Sequence, residues 1–189
     1  VIAGGIGASK SWTAARYLVP EIVLADTLRI INGWPTTQQS LPEQIVVWLV
    51  GDTYETARTE FSYIVDTITS SPALMTLCGG WKHVHRPKDG SWTAETQHGV
   101  VIQTKSWTNE DSLNSVPVHF VLVAEAGLLP FWIWENRLVT RIGRTNGIML
   151  LAGTFEESGP FFKDAFTRGL SRSLFRSFSM STWDNVYRY

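Results

Sequence analysis

The sequence begins with an apolar tripeptide, Val1-Ile2-Ala3, followed by a run of small residues, Gly4-Gly5-Ile6-Gly7-Ala8-Ser9-Lys10-Ser11. The run fits the pattern G-x-x-x-x-G-K-[ST], except that Ser9 stands where the last glycine usually does. Small residues matter here because backbone N–H groups must approach a polyphosphate closely, and bulky side chains would hold the anion away. We interpret Gly4–Ser11 as a phosphate-binding loop. The alternative is a glycine-rich turn whose lysine is merely solvated.

The last two residues of the loop have the chemistry that a nucleotide and its magnesium ion require. Lys10 would reach the β- and γ-phosphates, and the Ser11 hydroxyl would ligate Mg²⁺. Both open a predicted helix, whose N-terminal dipole favours an anion. We expect this helix to continue over Trp12–Val19 and to end at Pro20. The positions expected to contact the nucleotide are Gly5, Ile6, Gly7, Ala8, Ser9, Lys10, Ser11 and Trp12.

Short apolar runs separated by helical or turn segments predict the strands of a mainly parallel sheet. The runs are Val1–Ala3, Ile45–Val50, Phe120–Ala124 and Ile148–Ala152. A helix after the second run is expected to open with a capping box over Asp52–Glu55. Its apolar stripe comprises Ala57, Phe61, Ile64, Val65 and Ile68. Strand, helix and strand in this order are typical of an α/β fold with helices packed on the sheet.

Alternating residues and turn signals over residues 81–107 predict antiparallel strands at a sheet edge or in an inserted ribbon. The chain has 189 residues, enough for one domain with a substantial core. Because it begins at a glycine loop without methionine, we expect it to be a piece of a longer protein.

Composition excludes several classes of protein. Sixteen Lys and Arg against seventeen Asp and Glu give a net charge of −1. Any contact with DNA must therefore come from a local patch. The single Cys78 excludes an internal disulfide scaffold. No apolar run approaches the roughly 20 residues that a membrane-spanning helix needs.

The third apolar run ends in a carboxylate, in the sequence His119-Phe120-Val121-Leu122-Val123-Ala124-Glu125. A nucleotide hydrolase of this type needs a carboxylate at such a strand end to orient or deprotonate water. Glu125 is the candidate base, and Ala124 stands where an aspartate that organises Mg²⁺ is expected. Either turnover is weakened by this change, or the ion is held by Ser11, phosphate oxygens and water. An exposed carboxylate without a catalytic role is the alternative for Glu125.

The fourth run, Ile148–Ala152, is followed by Gly153 and Thr154. A hydroxyl at the tip of a strand beside the acidic strand is able to detect a γ-phosphate or its attacking water. It would then pass that difference to the rest of the chain. We therefore name Thr154 as a candidate sensor, with an ordinary turn or helix-capping hydroxyl as the alternative.

Six segments carry a resemblance to a known family: Gly4–Ser11, Val47–Ile64, His98–Ile102, Val121–Pro130, Ala152–Thr154 and Phe178–Asn185. In this order they resemble the ATPase domain of a large terminase subunit, the DNA-packaging motor of tailed viruses. The resemblance implies a P-loop NTPase fold of the ASCE type. In this fold a mainly parallel sheet is covered by helices on both faces and bears an antiparallel edge ribbon.

The resemblance also implies ligands and partners. The ligands would be ATP and Mg²⁺. The partners would be double-stranded DNA, the viral portal protein, the small terminase subunit and further copies in a ring. The expected location is the host cell cytoplasm at the portal vertex of the procapsid, with no membrane contact. Residues 1–189 would be the motor domain, truncated at both ends, and a nuclease domain would lie outside this chain.

Two departures from the family pattern concern arginine. Ile6 and the segment Ser112–Ser115 occupy places where many members carry one. An arginine finger contributes about 10³–10⁵ in rate, so its source is open here. Arg141 and Arg144 are candidates, with a solvated surface role as the alternative. Two other functions remain alternatives: a different P-loop ATPase, such as a helicase-like enzyme, and a catalytically weakened nucleotide-binding assembly module.

Overall fold

The structure, a computed structural model, describes residues 1–4, 10–31, 44–114, 116–155, 158–171 and 176–180. Three parts of the sequence interpretation lie outside these residues. They are the loop residues Gly5–Ser9, Ser115 of the segment Ser112–Ser115, and Ser181–Asn185 of the last family segment. The expected nucleotide contacts of Gly5, Ile6, Gly7, Ala8 and Ser9 therefore stay predictions.

The described residues form one sheet of eight strands, in the spatial order β3-β4-β5-β2-β6-β7-β1-β8. The strands are β1 (Ile2–Gly4), β2 (Ile45–Gly51), β3 (Trp81–His85), β4 (Thr93–Thr96), β5 (Val100–Ser106), β6 (Phe120–Val123), β7 (Ile148–Gly153) and β8 (Phe178–Met180). From β5 to β8 all neighbours pair in parallel. Their carboxyl ends therefore meet at a single edge of the sheet, the C-terminal edge.

Helices cover both faces of this sheet. They are α1 (Lys10–Ile31), α2 (Tyr54–Ser70), α3 (Pro72–Leu77), α4 (Phe131–Ile133), α5 (Thr140–Ile142) and α6 (Pro160–Ser171), with a π-helix at Trp134–Val139 between α4 and α5. Short 3₁₀ turns lie at Glu110–Leu113 and Ala126–Leu128. One core packs α1 and α2 against the first face, and a second packs the segments after β6 together with α6 against the other. The predicted fold class is confirmed.

The stripe predicted for the second helix is buried as expected: Ala57, Phe61, Ile64, Val65 and Ile68 all face the core. The cap lies one residue further along than predicted. Thr53 is the N-cap, and its side chain accepts a hydrogen bond from the Thr56 backbone N–H. Asp52 accepts from the Thr53 N–H instead, and Glu55 forms an ion pair with Arg58.

The first helix does not end at Pro20. It runs on to Ile31, with Pro20 inside it. Pro20 cannot donate to the carbonyl of Arg16, but both residues are exposed, so water is able to serve that carbonyl. Beyond the proline, Ile22 and Val23 are buried in the core. Because this packing outweighs one lost hydrogen bond, the helix continues.

The edge ribbon is confirmed, with one difference. β3 and β4 pair antiparallel, and β4 pairs antiparallel with β5. β5 itself pairs in parallel with β2 along its whole length, from Val100 to Ser106. The ribbon is thus an extension of the parallel sheet through β5 rather than a separate insertion.

Candidate active site

The candidate site begins where β1 gives way to α1 at the C-terminal edge of the sheet. β1 ends at Gly4, and α1 begins at Lys10. Lys10 is 8% exposed, and Ser11 follows it in the first turn of the helix. The two residues predicted to meet the β- and γ-phosphates and the magnesium ion therefore lie at the edge to which the parallel strands point. Ligands of open α/β sheets bind at this edge.

A buried carboxylate that the sequence interpretation missed lies beside Ser11. Glu60 of α2 is 2% exposed, and the Ser11 side chain lies close enough to influence its charge. Burial raises the pKa of Glu60, the Ser11 side chain lowers it, and the charge of Glu125 raises it. Glu60 thus lies within electrostatic range of both the first turn of α1 and the residue that follows β6.

A signal for Glu60 is present in the sequence. Its position follows Ala57 by three residues and precedes Ile64 by four, so it falls on the buried stripe of α2. A carboxylate on a buried helical stripe is rarely found without a partner or a function. Which element faces that stripe is decided by the tertiary structure, and so the partner Ser11 was not predictable.

Glu125 lies at the tip of β6 in a left-handed backbone conformation. Its φ is 47° and its ψ is 43°, a region that non-glycine residues seldom adopt. Such a conformation costs on the order of 1–3 kcal/mol and concentrates at functional sites. The Glu125 carbonyl accepts a hydrogen bond from the Leu128 N–H at 2.9 Å, which closes the turn. The side chain is exposed at the C-terminal edge.

The end of β7, which Thr154 directly follows, packs against this turn. A Cβ at Gly153 would lie 2.7 Å from the Gly127 nitrogen, and a Cβ at Gly127 would lie 2.7 Å from the Thr154 carbonyl oxygen. The Gly127 carbonyl also accepts a hydrogen bond from the Gly159 N–H at 3.1 Å. Thr154, which is half-buried, therefore adjoins the turn that begins at Glu125.

Solved structures of phage proteins share this architecture. The large terminase ATPase domain of Thermus phage P74-26 matches with a TM-score of 0.71 at 18% identity, over 97% of this chain and 76% of that one. The chain has the fold of a large terminase ATPase domain. Neither a protein-family model nor a curated protein matches the sequence.

A second terminase extends the comparison. The large terminase from another phage, a thermophilic bacteriophage, matches with a TM-score of 0.56 at 14% identity, over 100% of this chain and 41% of that one. The same protein has been solved in complex with ADP and with ATP-gamma-S, each at a TM-score of 0.55 and 15% identity. The present chain therefore spans less than half the length of this second terminase.

The strand β6 of this terminase fold ends without a second carboxylate. Ala124 is 2% exposed, and its N–H donates to the Val50 carbonyl at 2.9 Å, continuing the ladder with β2. A buried methyl group supplies no ligand to a metal ion. The oxygen groups that would hold such an ion are the hydroxyl of Ser11 and the carboxylate of Glu60, with Glu125 close enough to influence the charge of Glu60.

These groups fit Mg²⁺ chemically. Magnesium prefers oxygen ligands and usually takes only one or two carboxylates, the rest being phosphate oxygens and water. The Oε2 atom of Glu60 is buried and has no hydrogen-bond partner within the described ranges. A buried carboxylate oxygen without a partner is a position where a cation is stabilising.

The remaining candidates stay predictions. Trp12 is half-exposed, and the Arg16 guanidinium carbon lies 4.2 Å from the centre of the Trp12 ring. Arg144 is exposed, whereas Arg141 is partly buried and its Nε has no hydrogen-bond partner in the described part of the chain. Arg137, in the π-helix, pairs with Glu110 at 3.1 Å. π-helices are often found at functional sites.

Three other possibilities concern the described residues: a metal site made of side chains alone, a nucleophilic cysteine and a membrane-spanning helix. The described residues contain no group of three or more His, Cys, Asp and Glu side chains placed to hold a metal ion. Cys78 is buried, and its burial raises the thiol pKa to about 12, so it is a poor nucleophile. None of the described helices has both the length and the apolar character to span a membrane.

Proposed function

We propose that this chain is the ATP-binding motor domain of a viral large terminase, which drives double-stranded DNA into a procapsid. The observation that carries this proposal is the buried carboxylate of Glu60. The Ser11 side chain and the charge of Glu125 both influence Glu60, which supports a site where the predicted phosphate-binding turn and the predicted base come together. The likeness in fold to two phage terminases, one of them solved with ADP and ATP-gamma-S, supports the same function.

In this proposal the nucleotide is held by the turn between β1 and α1. The backbone of Gly5–Ser9 would surround the phosphates, and the ammonium group of Lys10 would neutralise the β- and γ-phosphates. The Ser11 hydroxyl would ligate Mg²⁺, and Trp12 would contact the nucleotide next to Ser11. The magnesium ion, when bound, neutralises phosphate charge and so stabilises the transition state of phosphoryl transfer.

Glu125 is the proposed general base. Its left-handed conformation holds the carboxylate at the exposed edge, beyond the end of β6. From there it would orient a water molecule and accept a proton from it as the water attacks the γ-phosphate. A positioned base of this kind contributes roughly 10²–10⁴ in rate.

Thr154 is the proposed sensor of the phosphate state. Its backbone touches the turn that follows Glu125, so a shift of that turn would displace the end of β7. Such close packing would couple the movements of the two segments. A change at the γ-phosphate would thereby reach α6, which begins at Pro160.

The proposed partners follow from this function rather than from any contact in the structure. They are double-stranded DNA, the viral portal protein, the small terminase subunit and other copies of the chain in a ring. The proposed location is the portal vertex of the procapsid in the host cytoplasm. Stimulation of ATP hydrolysis by DNA together with portal protein is the measurement that separates a packaging motor from a helicase-like ATPase.

Nucleotide binding is tested with Lys10→Ala, using a fluorescent ATP analogue and the unmodified chain as reference. Loss of a charge-assisted contact is expected to weaken binding about 10- to 100-fold. Lys82→Ala, which removes an exposed lysine of β3, is the matched control and is expected to bind normally. Equal binding by the Lys10 variant and the unmodified chain would refute the proposal.

A second function is favoured by one observation, the buried Ala124 at the end of β6. A chain that binds nucleotide but turns it over feebly would act as an assembly module. The two functions differ in a single measurement, the steady-state rate of phosphate release in the presence of DNA. A rate that Glu125→Gln does not lower would favour the assembly module.

A further inference from the structure

We propose that Glu60 supplies the carboxylate that holds the magnesium ion of the nucleotide, in the role that Ala124 is unable to fill. This inference rests on the proposed function and adds a residue to its site. The ion would thus be held from α2, the helix that follows β2, instead of from the end of β6.

The burial of Glu60 is the first observation. Its side chain is 2% exposed, on a stripe otherwise made of apolar residues. Its Oε2 atom has no hydrogen-bond partner among the residues that the structure describes. Leaving a buried carboxylate oxygen unsatisfied is costly, whereas a divalent cation supplies the missing partner.

The position of Glu60 is the second observation. α1 and α2 pack in the same core, and the Ser11 side chain lies close enough to the Glu60 carboxylate to influence its charge. The Ser11 hydroxyl belongs to the pattern that ligates Mg²⁺. The carboxylate also lies within electrostatic range of Glu125, the residue beyond the tip of β6. A cation held by the Ser11 hydroxyl would therefore lie within reach of the Glu60 carboxylate.

The register of the sheet explains how a helical residue replaces one from a strand. β2 and β6 are neighbours, with Val50 opposite Val123, so the ends of the two strands adjoin. α2 begins shortly after β2 and packs on the face that carries α1. A long side chain on the α1-facing side of α2 is therefore placed to reach the start of α1.

The test uses Glu60→Gln, which removes the charge and keeps the shape. Binding of a fluorescent ATP analogue is measured during a Mg²⁺ titration and again in EDTA. We expect the Mg²⁺-dependent part of the affinity to fall about 10- to 100-fold, the usual effect of losing a carboxylate that supports a metal. Binding in EDTA is expected to stay unchanged.

Glu55→Gln is the matched control. Glu55 lies on the same helix and undergoes the same chemical change, but its side chain is 79% exposed and pairs with Arg58 at 3.6 Å. It is expected to follow the unmodified chain throughout the Mg²⁺ titration. A Glu60→Gln variant that also follows the unmodified chain would overturn the inference.

Thermal unfolding distinguishes the proposed role from a purely structural one. With its buried charge removed, Glu60→Gln is expected to have a higher Tm than the unmodified chain in EDTA, and a smaller rise in Tm when Mg²⁺ and ADP are added. A structural carboxyl predicts the opposite, namely a lower Tm in both buffers with the Mg²⁺ response intact. That result would also overturn the inference.

The failure of this inference differs from the failure of the proposed function. If the unmodified chain binds no nucleotide in either buffer, both are wrong. If the unmodified chain shows Mg²⁺-dependent binding that Lys10→Ala abolishes and Glu60→Gln leaves intact, only the role of Glu60 is wrong.

Discussion

Two edges of the same sheet differ in whether their charged side chains have partners. At the antiparallel ribbon, the charged side chains satisfy one another. Glu95 of β4 lies 2.9 Å from the Lys82 ammonium and 3.6 Å from a His83 ring nitrogen, and Arg86 lies 2.7 Å from Asp66. These partners lie at or near the surface, where ion pairs contribute little to stability.

At the C-terminal edge the same kinds of group are left unsatisfied or strained. Glu60 is buried with an unpartnered oxygen, and Glu125 is held at a positive φ. Glycine backbones at positions 127 and 153 touch so closely that no side chain fits between them. The difference shows that the C-terminal edge combines a buried, unpartnered carboxylate oxygen with a strained backbone, costs that a bound ligand is able to compensate.

Among the tests of this difference, the largest effect is expected for a substitution at the strained end of β6. Glu125→Gln removes the proposed base, so the rate of ATP hydrolysis should fall about 10²- to 10⁴-fold while nucleotide affinity stays unchanged. Phosphate release and analogue binding are the two measurements. Glu135→Gln, an exposed change in the π-helix, is the control.

A Glu125 variant that hydrolyses ATP at the normal rate would show that the strained strand end has no catalytic role. The left-handed conformation would then be a feature of the turn alone. Equal losses in Glu125→Gln and Glu135→Gln would likewise contradict a specific role at the strand tip.

A smaller effect is expected from the close backbone contact. Gly153→Ala places a methyl group 2.7 Å from the Gly127 nitrogen and 3.1 Å from the Phe162 ring, so the turn or the strand must shift. Such overpacking should cost about 1–3 kcal/mol of unfolding free energy. Gly159→Ala, with nothing within 4 Å of the new methyl group, should stay within about 0.5 kcal/mol.

Urea unfolding of both glycine variants measures this difference. A Gly153→Ala protein as stable as Gly159→Ala would mean that the two segments separate without cost. Thr154 would then lose its mechanical connection to the turn after Glu125, and the proposed sensor with it.

The smallest effect is expected at the ribbon. Lys82→Ala removes one partner of Glu95 and should lower the unfolding free energy by less than about 1 kcal/mol. Nucleotide affinity should not change, as measured by analogue binding. A marked loss of affinity would show that the ribbon takes part in the site, and the distinction between the two edges would fail.

Much of the fold was predictable from local pattern. The apolar runs Ile45–Val50, Phe120–Ala124 and Ile148–Ala152 are strands β2, β6 and β7 to within one residue at either end. These strands were predictable because a strand buried on both faces must be continuously apolar. The buried stripe of α2 was also predictable, since the helical period alone places its residues on one face.

Local pattern was wrong where packing competes with propensity. Pro20 was expected to end a helix that in fact continues to Ile31. The sequence shows the proline, which costs a helical hydrogen bond, but it does not show that Ile22 and Val23 are buried in the core. Because that core forms only in the folded chain, the continuation of the helix was not predictable.

The amino-acid sequence establishes which chemical groups are present and on which strand or helix most of them lie, because periodicity and turn residues act over a few neighbours. It predicts Ser11 at the start of a helix and Glu125 just after a strand. The proximity of Glu60 to Ser11, 49 positions earlier, is a property of the folded chain alone. Contacts between distant segments depend on how helices pack on the sheet, and side-chain burial over the whole fold sets that packing.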